Sequence, residues 1–274
     1  MANDADWLEV KCGEAPLVVA FPHTGSDIPG EVAAGFVSLW HARRDADWWV
    51  DRLYGFASQF GATTVRTRLS RSVIDVNRDP SGRSLYPGQA TTELCPTTDF
   101  DGAPLYRDGS APSAQEIARR TKLYFEPYHA ALAGELQRLL ALHGRVVLFD
   151  AHSIRSRIPR LFEGELPQFN IGSHDGRSCD AALTAAVEQV CAKSGMSHVV
   201  NARFKGGWTT RHYGKPETGI HAIQLELACR GYIDEPDLPG EQNWPAPYDD
   251  ARAAALTAQL KKILEACLVF ARGG

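Results

Sequence analysis

Short apolar runs alternate along the chain with longer segments whose apolar residues recur every three or four positions. The short runs are rich in β-branched residues and predict strands over 16–21, 63–68, 72–77, 145–150, 197–204 and 221–227. The periodic segments predict helices over 45–60, 113–143, 178–194 and 249–271. Strands that alternate with helices favour an α/β fold whose largely parallel sheet is covered by helices on both faces.

Local signals refine two of the helices and one loop. The segment 113–143 opens with SAQE, a capping-box pattern, and Pro127 is expected to kink or interrupt the helix that follows. The segment 79–112 is crowded with Gly, Pro, Ser, Thr and Asp and predicts a long loop, which we expect to close over a site as a lid. No composition shift suggests a linker, so we expect one domain over residues 1–274.

Composition excludes several classes of protein. The 274 residues are 44% hydrophobic and 23% charged, and the net charge is −4. No block of Lys and Arg indicates nucleic acid, and no apolar run reaches the ~18 residues that a membrane span needs. The N-terminus, MANDADWLEV, does not resemble a signal peptide, and the six cysteines form no C-x-x-C pair. We therefore expect a cytoplasmic protein with reduced, mostly structural thiols, whereas the sequence does not indicate its oligomeric state.

Polar side chains with catalytic potential follow the ends of the predicted strands. They are His23, Asn77 with Arg78, His152 with Ser153, and Glu226. In open α/β sheets, ligands bind outside the carboxyl ends of the strands. Two imidazoles suit zinc, and a carboxylate commonly supplies a third ligand. Asp47 is a candidate for that ligand and Asp45 is its competitor, while iron, cobalt and manganese would fit the same donors.

Each of these residues also has an ordinary structural interpretation. A histidine after a strand is often only hydrogen-bonded, Asp47 is suited to cap a helix, and Glu226 would be stable if salt-bridged. The chain also has five arginines near the predicted strand ends, namely Arg71, Arg78, Arg155, Arg157 and Arg211. Such a cluster favours binding of an anionic small molecule, because the guanidinium fork matches a carboxylate. His174 and His212 are reserve ligands or proton carriers.

The chain resembles the N-formylglutamate amidohydrolases, also called N-formylglutamate deformylases. The resembling stretches span residues 16–240 and are FPHTGSDIP, DADWWVDRLY, SRSVIDVNRDPSG, LYFEPYHAAL, LFDAHSIRSRIPRLFEGELPQFNIGSHDGRSCD, RFKGGWTTRHYGKP and HAIQLELACRGYIDE. The resemblance implies a three-layer α/β/α sandwich around a mixed sheet, related to the zinc carboxypeptidases. It also implies hydrolysis of N-formyl-L-glutamate to formate and L-glutamate, the last step of one bacterial route of histidine breakdown.

The resemblance also implies roles for individual residues. His23 and His152 match the metal ligands, Asn77 and Arg78 match a pair that binds the substrate carboxylate, and Glu226 matches the general base. In the carboxypeptidases an acid ligand follows the first histidine by three positions. Ser26 stands at that position here, so the acid ligand is expected to be Asp47.

The expected mechanism follows from these roles. Arg71 would stabilise the oxyanion, and Arg155, Arg157 or Arg211, together with Tyr213, would bind the second substrate carboxylate. Three alternatives stay open at this point. The first is a zinc amidohydrolase for another N-acyl acidic amino acid or a small peptide. The second is a metal-free hydrolase that uses Ser153 or a cysteine, and the third is a non-catalytic binder of acidic metabolites.

Overall fold

A single mixed sheet of seven strands organises the computed structural model, which describes residues 6–86 and 88–273. The strands are β1 (Leu8–Lys11), β2 (Leu17–Phe21), β3 (Thr63–Thr67), β4 (Val146–Ile154), β5 (Phe169–Gly172), β6 (His198–Val200) and β7 (Ile220–Ala228). Their order across the sheet is β1-β3-β2-β4-β7-β5-β6. The four central strands β3, β2, β4 and β7 run parallel, whereas β1 and β5 pair antiparallel with their neighbours β3 and β7.

Helices cover both faces of this sheet. They are α1 (Gly30–Ala33), α2 (Leu39–Arg43), α3 (Val50–Leu53), α4 (Ala114–Arg120), α5 (Glu126–His143), α6 (Ala181–Lys193), α7 (Trp208–Tyr213) and α8 (Asp250–Ala271). One apolar cluster joins α3, α6 and α8 to one face, and a second cluster joins α1 and α5 to the other. The predicted three-layer α/β/α arrangement with a mixed, largely parallel sheet is confirmed.

The alternation of side chains along β4 brings polar groups to one face. Val147, Phe149 and Ala151 pack into the cluster with α6 and α8, whereas Val146 and Leu148 pack against α5. Because side chains alternate along a strand, the residues that continue the α5 face beyond Leu148 are Asp150 and His152. The same alternation in β7 brings Gln224 and Glu226 to this face. On this face of the sheet, the side chains are therefore apolar where α5 covers them and polar beyond that point.

Two predicted strands are wrong in whole or in part. The segment 72–77 is a series of turns, because its buried polar side chains make local contacts, such as the bond from the backbone N–H of Asn77 to the carboxylate of Asp75 (2.9 Å). The segment 197–204 is a strand only over His198–Val200, since Asn201 adopts a positive φ of 51° and turns the chain back. The strand predicted over 145–150 continues to Ile154, so His152 lies within β4 rather than after it.

The predicted helices also differ in part from the structure. The segment 45–60 contains only α3 and a 3₁₀ helix (Gly55–Phe60), because Trp49 has a φ of 63° and breaks the helical path before α3. In 113–143, one π-helical turn (Thr121–Phe125) separates α4 from α5. Pro127 is the second residue after that turn, and the wider turn relieves the clash of its ring with the preceding carbonyl groups. The helices predicted over 178–194 and 249–271 are confirmed as α6 and α8.

The long loop 79–112 contains neither a helix nor an extended strand in its described residues, and Pro87 lies outside them. A single bridge joins Thr98 to Pro104 within it. Among the helices of the described residues, none has both the length and the apolar character needed to cross a membrane.

Candidate metal centre and active site

Three side chains that are distant in the chain meet at the carboxyl ends of the central strands. One ligand atom from each of His23, Asp47 and His152 lies within 4.8 Å of the others, and all three residues are buried. His23 follows β2, which is the neighbour of β4 in the sheet. The backbone N–H of Asp47 donates to the carbonyl oxygen of His23 (2.9 Å), so the turn before α3 is fixed against the end of β2.

A buried carboxylate orients the imidazole of His23. Nε2 of His23 lies 2.6 Å from Oδ1 of Asp75, and Nδ1 lies 3.7 Å from Oδ2 of Asp47. Burial would raise the pKa of Asp75, but the guanidinium groups of Arg71 and Arg78 and the imidazole hold it well below its usual value. Because an ionised carboxylate only accepts hydrogen bonds, Nε2–H donates to Asp75 and the lone pair of Nδ1 faces Asp47.

The imidazole of His152 is held between two carboxylates. Its Nδ1 lies 3.0 Å from Oδ2 of Asp47, and its Nε2 lies 3.0 Å from Oδ1 of Asp150. The amide nitrogen of Asn77 lies 3.0 Å from the same Nε2. Asn77 keeps this orientation because its Oδ1 accepts the backbone N–H of Thr209 (2.8 Å). Each histidine thus presents one ring nitrogen to Asp47 and the other to a second carboxylate, which is the usual environment of a histidine that binds zinc.

The charges around these imidazoles favour a cation. Burial would raise the pKa of Asp47, but His23 and His152 lower it below its usual value. Burial opposes a charge on His152, yet Asp150 and Asp47 raise the pKa of its imidazole well above the usual range. Two imidazole nitrogens and one carboxylate oxygen are also the donors that zinc binds in hydrolytic sites. The residues present therefore fit a divalent metal ion.

Glu226 lies beside this cluster. β4 and β7 pair in a register that places His152 opposite Glu226, so the two side chains project from the same face of the sheet. Burial raises the pKa of Glu226 to about 8, although His152 opposes the shift. The amide nitrogen of Gln224 donates to Oε2 of Glu226 (3.4 Å), and the backbone N–H of Gly207 donates to Oε1 of Gln224 (2.7 Å). Gln224 thereby fixes one oxygen of the carboxyl group.

A cleft opens above the cluster and Glu226, with an empty volume of ≈ 610 Å³ that includes its mouth. Its polar wall includes His23, Arg71, Asn77, Arg78, His152, Arg203, Gln224 and Glu226. Arg71 is buried, and its Nη2 lies 2.6 Å from Oδ2 of Asp75. Its guanidinium group also lies over the ring of Phe100, 4.8 Å from the ring centre. Arg78 donates from Nε and NH2 to the carbonyl and hydroxyl oxygens of Thr92 (3.1 and 3.0 Å). The wall of the cleft therefore carries three arginines together with the two histidines of the candidate metal site.

Comparison with known proteins identifies the family. The family model described as N-formylglutamate amidohydrolase matches residues 15–233. An N-formylglutamate deformylase of Pseudomonas aeruginosa is 47% identical over 266 residues, which are 97% of this chain and 97% of that protein. The chain belongs to the N-formylglutamate amidohydrolase family.

Further relatives of this family agree with that assignment. An N-formylglutamate deformylase of Pseudomonas putida is 44% identical over 259 residues, 94% of each chain. The crystal structure of an N-formylglutamate amidohydrolase from Ralstonia eutropha JMP134 superposes with a TM-score of 0.77 over 97% of each chain, at 22% identity. This last similarity supports the fold alone.

Asp47, rather than Asp45, joins the histidines in this member of the N-formylglutamate amidohydrolase family. The carboxylate of Asp45 instead accepts the backbone N–H of Phe100 (2.6 Å). His174 and His212 lie outside the cluster, and His212 stacks on Trp208 with ring centres 4.1 Å apart. Neither histidine therefore serves as the reserve ligand that the sequence allowed.

Four predicted substrate-binding residues do not line the cleft. Arg155 pairs with Asp101 (2.9 Å) and Arg157 pairs with Glu165 (2.8 Å), so other carboxylates occupy both guanidinium groups. Arg211 donates to the carbonyl oxygens of Gly206 and Leu85 (2.8 and 2.9 Å), and the second of these bonds holds the loop 79–112. The hydroxyl group of Tyr213 lies 3.1 Å from both Nδ1 and the carbonyl oxygen of His129. These four side chains are therefore engaged by other groups outside the cleft.

Sequence reasoning missed several residues of the site. Asp75 and Asp150 were treated as parts of strands, although a carboxylate within an apolar run is costly to bury without a partner and is therefore informative. Gln224 lies within the predicted strand 221–227 and has no sequence signal of its own. Arg203 was missed because it fell within the segment 197–204, which was predicted to be a strand.

Proposed function

We propose that this protein hydrolyses the formamide bond of N-formyl-L-glutamate and releases formate and L-glutamate with the help of a divalent metal ion, zinc first among the candidates. The observation that carries the proposal is the buried group of His23, Asp47 and His152 beside Glu226, in a chain that is 47% identical to an N-formylglutamate deformylase. The proposal includes the place that the family resemblance implies, at the end of a bacterial route of histidine breakdown.

The metal ion would be held by Nδ1 of His23, Nδ1 of His152 and a carboxylate oxygen of Asp47. When bound there, such an ion supplies Lewis-acid chemistry, in that it makes water easier to deprotonate and polarises a carbonyl oxygen. Asp75 and Asp150 support this arrangement, because each lies against the other ring nitrogen of a histidine (2.6 and 3.0 Å).

Glu226 would act as the general base and then as the general acid. Its carboxylate takes a proton from the water that attacks the formyl carbon, and it later delivers that proton to the nitrogen as the C–N bond breaks. A carboxyl group whose pKa lies near neutrality is suited to both steps, and burial raises the pKa of Glu226 to about 8. The bond from Gln224 to Oε2 leaves Oε1 free to face the substrate.

The arginines of the cleft would recognise the charges of the substrate. Arg71 faces the same space as Glu226 and would donate to the oxygen on which negative charge develops. Arg78 would bind one substrate carboxylate. The amide group of Asn77 is engaged with Thr209 and donates to Oδ2 of Asp150 (3.4 Å), so in this proposal it supports the carboxylate that orients His152 and leaves the substrate carboxylate to Arg78.

Formate release from N-formylglutamate tests the proposal. Protein purified without chelators is expected to contain about one metal ion per chain by elemental analysis, to lose activity with a strong chelator and to regain it with zinc. Parallel assays with N-acetylglutamate and N-formylaspartate test the specificity. Activity that survives removal of the metal, or binding of N-formylglutamate with no formate release, would overturn the proposal.

A further inference from the structure

Arg203 lies where the chain returns to the cleft after β6. Its Nε donates to the carbonyl oxygen of Leu161 (2.8 Å) and its NH2 donates to that of Ala90 (2.9 Å). The guanidinium also lies over the rings of Tyr86 and Phe204, 5.4 and 5.3 Å from their centres. Three separate segments of the chain therefore hold this half-buried cation in one position on the wall of the cleft.

Arg203 differs from the other cleft arginines because, among the described residues, no carboxylate forms an ion pair with its guanidinium. Arg71 and Arg78 share the carboxylate of Asp75, at 2.6 and 3.6 Å. Within residues 6–86 and 88–273, no carboxylate lies within 4.0 Å of the guanidinium of Arg203. Burial lowers the pKa of Arg203, whereas Tyr86 and Glu226 oppose this shift and Arg78 reinforces it. Burying a guanidinium against neutral carbonyl groups alone costs folding free energy, and an anion that binds to it offsets this cost.

The hydrogen-bonding capacity of Arg203 also suits an anion. Two of its five N–H groups donate to the carbonyl oxygens of Leu161 and Ala90, which leaves three for a ligand. A carboxylate accepts two parallel N–H bonds from such a fork. The dicarboxylate of the proposed function needs two cationic contacts, and Arg78 supplies only one of them.

The geometry points to Arg203 as the specificity-determining residue that binds the second carboxylate of the substrate, opposite the carboxylate bound by Arg78. This inference rests on the proposed function and extends it. It also gives a role to the hydrogen bond from Arg203 to Ala90, because Arg203 would then connect the loop 79–112 to the bound substrate.

The test compares three substrates, namely N-formylglutamate, N-formylglutamine and the α-amide of N-formylglutamate. The two amides each lack the charge of one carboxylate. We expect Arg203→Gln to lower kcat/KM for N-formylglutamate on the order of 100-fold, mostly through KM, and to leave kcat/KM almost unchanged for one of the two amides. That amide identifies the carboxylate that Arg203 binds. Where an amide is hydrolysed too slowly for kcat/KM to be measured, its inhibition constant against N-formylglutamate hydrolysis is measured instead. The ratio of this constant between the variant and the unchanged protein then replaces the ratio of kcat/KM.

Two further variants make the comparison decisive. Arg203→Lys keeps the charge without the fork and is expected to lose less activity with the same substrate preference, and it decides the question if Arg203→Gln does not fold. Arg107→Gln removes an exposed arginine outside the cleft and should change none of the kcat/KM ratios between the substrates. Equal losses on all three substrates would show a structural role and overturn the inference. The proposed function fails separately, if the unchanged protein releases no formate.

Discussion

Oδ1 of Asp75 lies 2.6 Å from Nε2 of His23, and this buried contact decides which nitrogen of the imidazole faces Asp47. Asp75 also lies 2.6 Å from NH2 of Arg71. One carboxylate thus contacts both a candidate metal ligand and an arginine of the cleft wall. Its two contacts link the affinity for metal to the geometry of the cleft.

Asp75→Asn is expected to weaken metal binding about 10–100-fold, because the amide cannot hold the tautomer of His23 as the carboxylate does. Titration of the metal-stripped protein with zinc measures the affinity directly. Asp79→Asn is a matched control, since the carboxylate of Asp79 pairs with the exposed Arg83 and lies outside the cluster. Equal affinities of the Asp75 and Asp79 variants would contradict the role given to Asp75.

Asp47→Asn and Asp45→Asn separate the two candidate acid ligands. Both carboxylates are largely buried, but only Asp47 lies with the histidines, whereas Asp45 accepts the backbone N–H of Phe100. We expect the Asp47 variant to purify without metal and the Asp45 variant to retain about one ion per chain. Elemental analysis of the two proteins side by side gives the answer, and the reverse pattern would make Asp45 the ligand.

Glu226→Gln is expected to lower kcat by about 10²–10⁴-fold, because the amide cannot accept the proton of the attacking water. Metal content should not change, since Glu226 lies beside the ligand group without belonging to it. Steady-state kinetics and elemental analysis of the same preparation test both statements. Glu217→Gln, at an exposed position, serves as the control. A variant at position 226 with nearly normal kcat would require a different base.

Gly207→Ala is expected to disturb the site from outside the cluster. A Cβ atom at this position would lie 2.4 Å from the amide nitrogen of Asn77, which itself lies 3.0 Å from Nε2 of His152. Asn77 must therefore move, and we expect kcat/KM to fall about 10-fold or more while the fold persists. Gly134→Ala on α5 is the control, because no atom lies within 4 Å of its added Cβ. That change should raise the free energy of unfolding by about 0.5–1 kcal/mol without affecting activity.

His129 is expected to make the fold less stable in acid. Burial lowers the pKa of its imidazole to about 3, and its Nε2 lies 2.8 Å from the carbonyl oxygen of Val76. An exposed imidazole has a pKa of about 6.5. Between these values the unfolded chain binds a proton that the folded chain does not, so the free energy of unfolding falls as the pH falls below about 6.5. At about pH 5 the loss from this one residue amounts to about 2 kcal/mol.

Denaturant unfolding at about pH 7.5 and pH 5 checks this expectation. His129→Gln is expected to be destabilised at the higher pH, and its deficit relative to the unchanged protein should shrink by about 2 kcal/mol at the lower pH. Gln137→Ala changes an exposed residue that carries no titratable group, so its difference from the unchanged protein should be the same at both pH values. A constant deficit for the His129 variant would mean that the residue does not titrate as its burial implies.

The order of apolar and polar residues was sufficient to predict the central sheet and the two histidines at its edge. The predicted strands 16–21 and 145–150 are each followed by a short polar segment, and the carboxyl ends of parallel strands meet at one edge of the sheet. The choice between Asp45 and Asp47 was beyond the sequence, because it depends on a turn in which Trp49 takes a left-handed conformation. Such a conformation in a bulky residue is set by tertiary contacts rather than by local preference.

The arginines show a second limit of sequence reasoning. Their positions near strand ends did not reveal which of them other carboxylates would occupy. Arg155 is paired with Asp101, which comes from a loop 54 residues earlier in the chain. The sequence did not single out Arg203, because the segment around it was predicted to be a strand and is instead a turn. Long-range ion pairs of this kind follow from the fold and have no periodic signature in the sequence.

The register that sets His152 opposite Glu226 has a consequence for how this enzyme family diversifies. Both residues belong to hydrogen-bonded strands, so an insertion or deletion upstream in either strand would turn one of them to the far side of the sheet. Arg78 and Arg203 belong to loops, which tolerate changes in length and composition. We therefore expect new substrate preferences to arise mainly from changes in these loops. The paired strands β4 and β7 keep His152 and Glu226 in their positions.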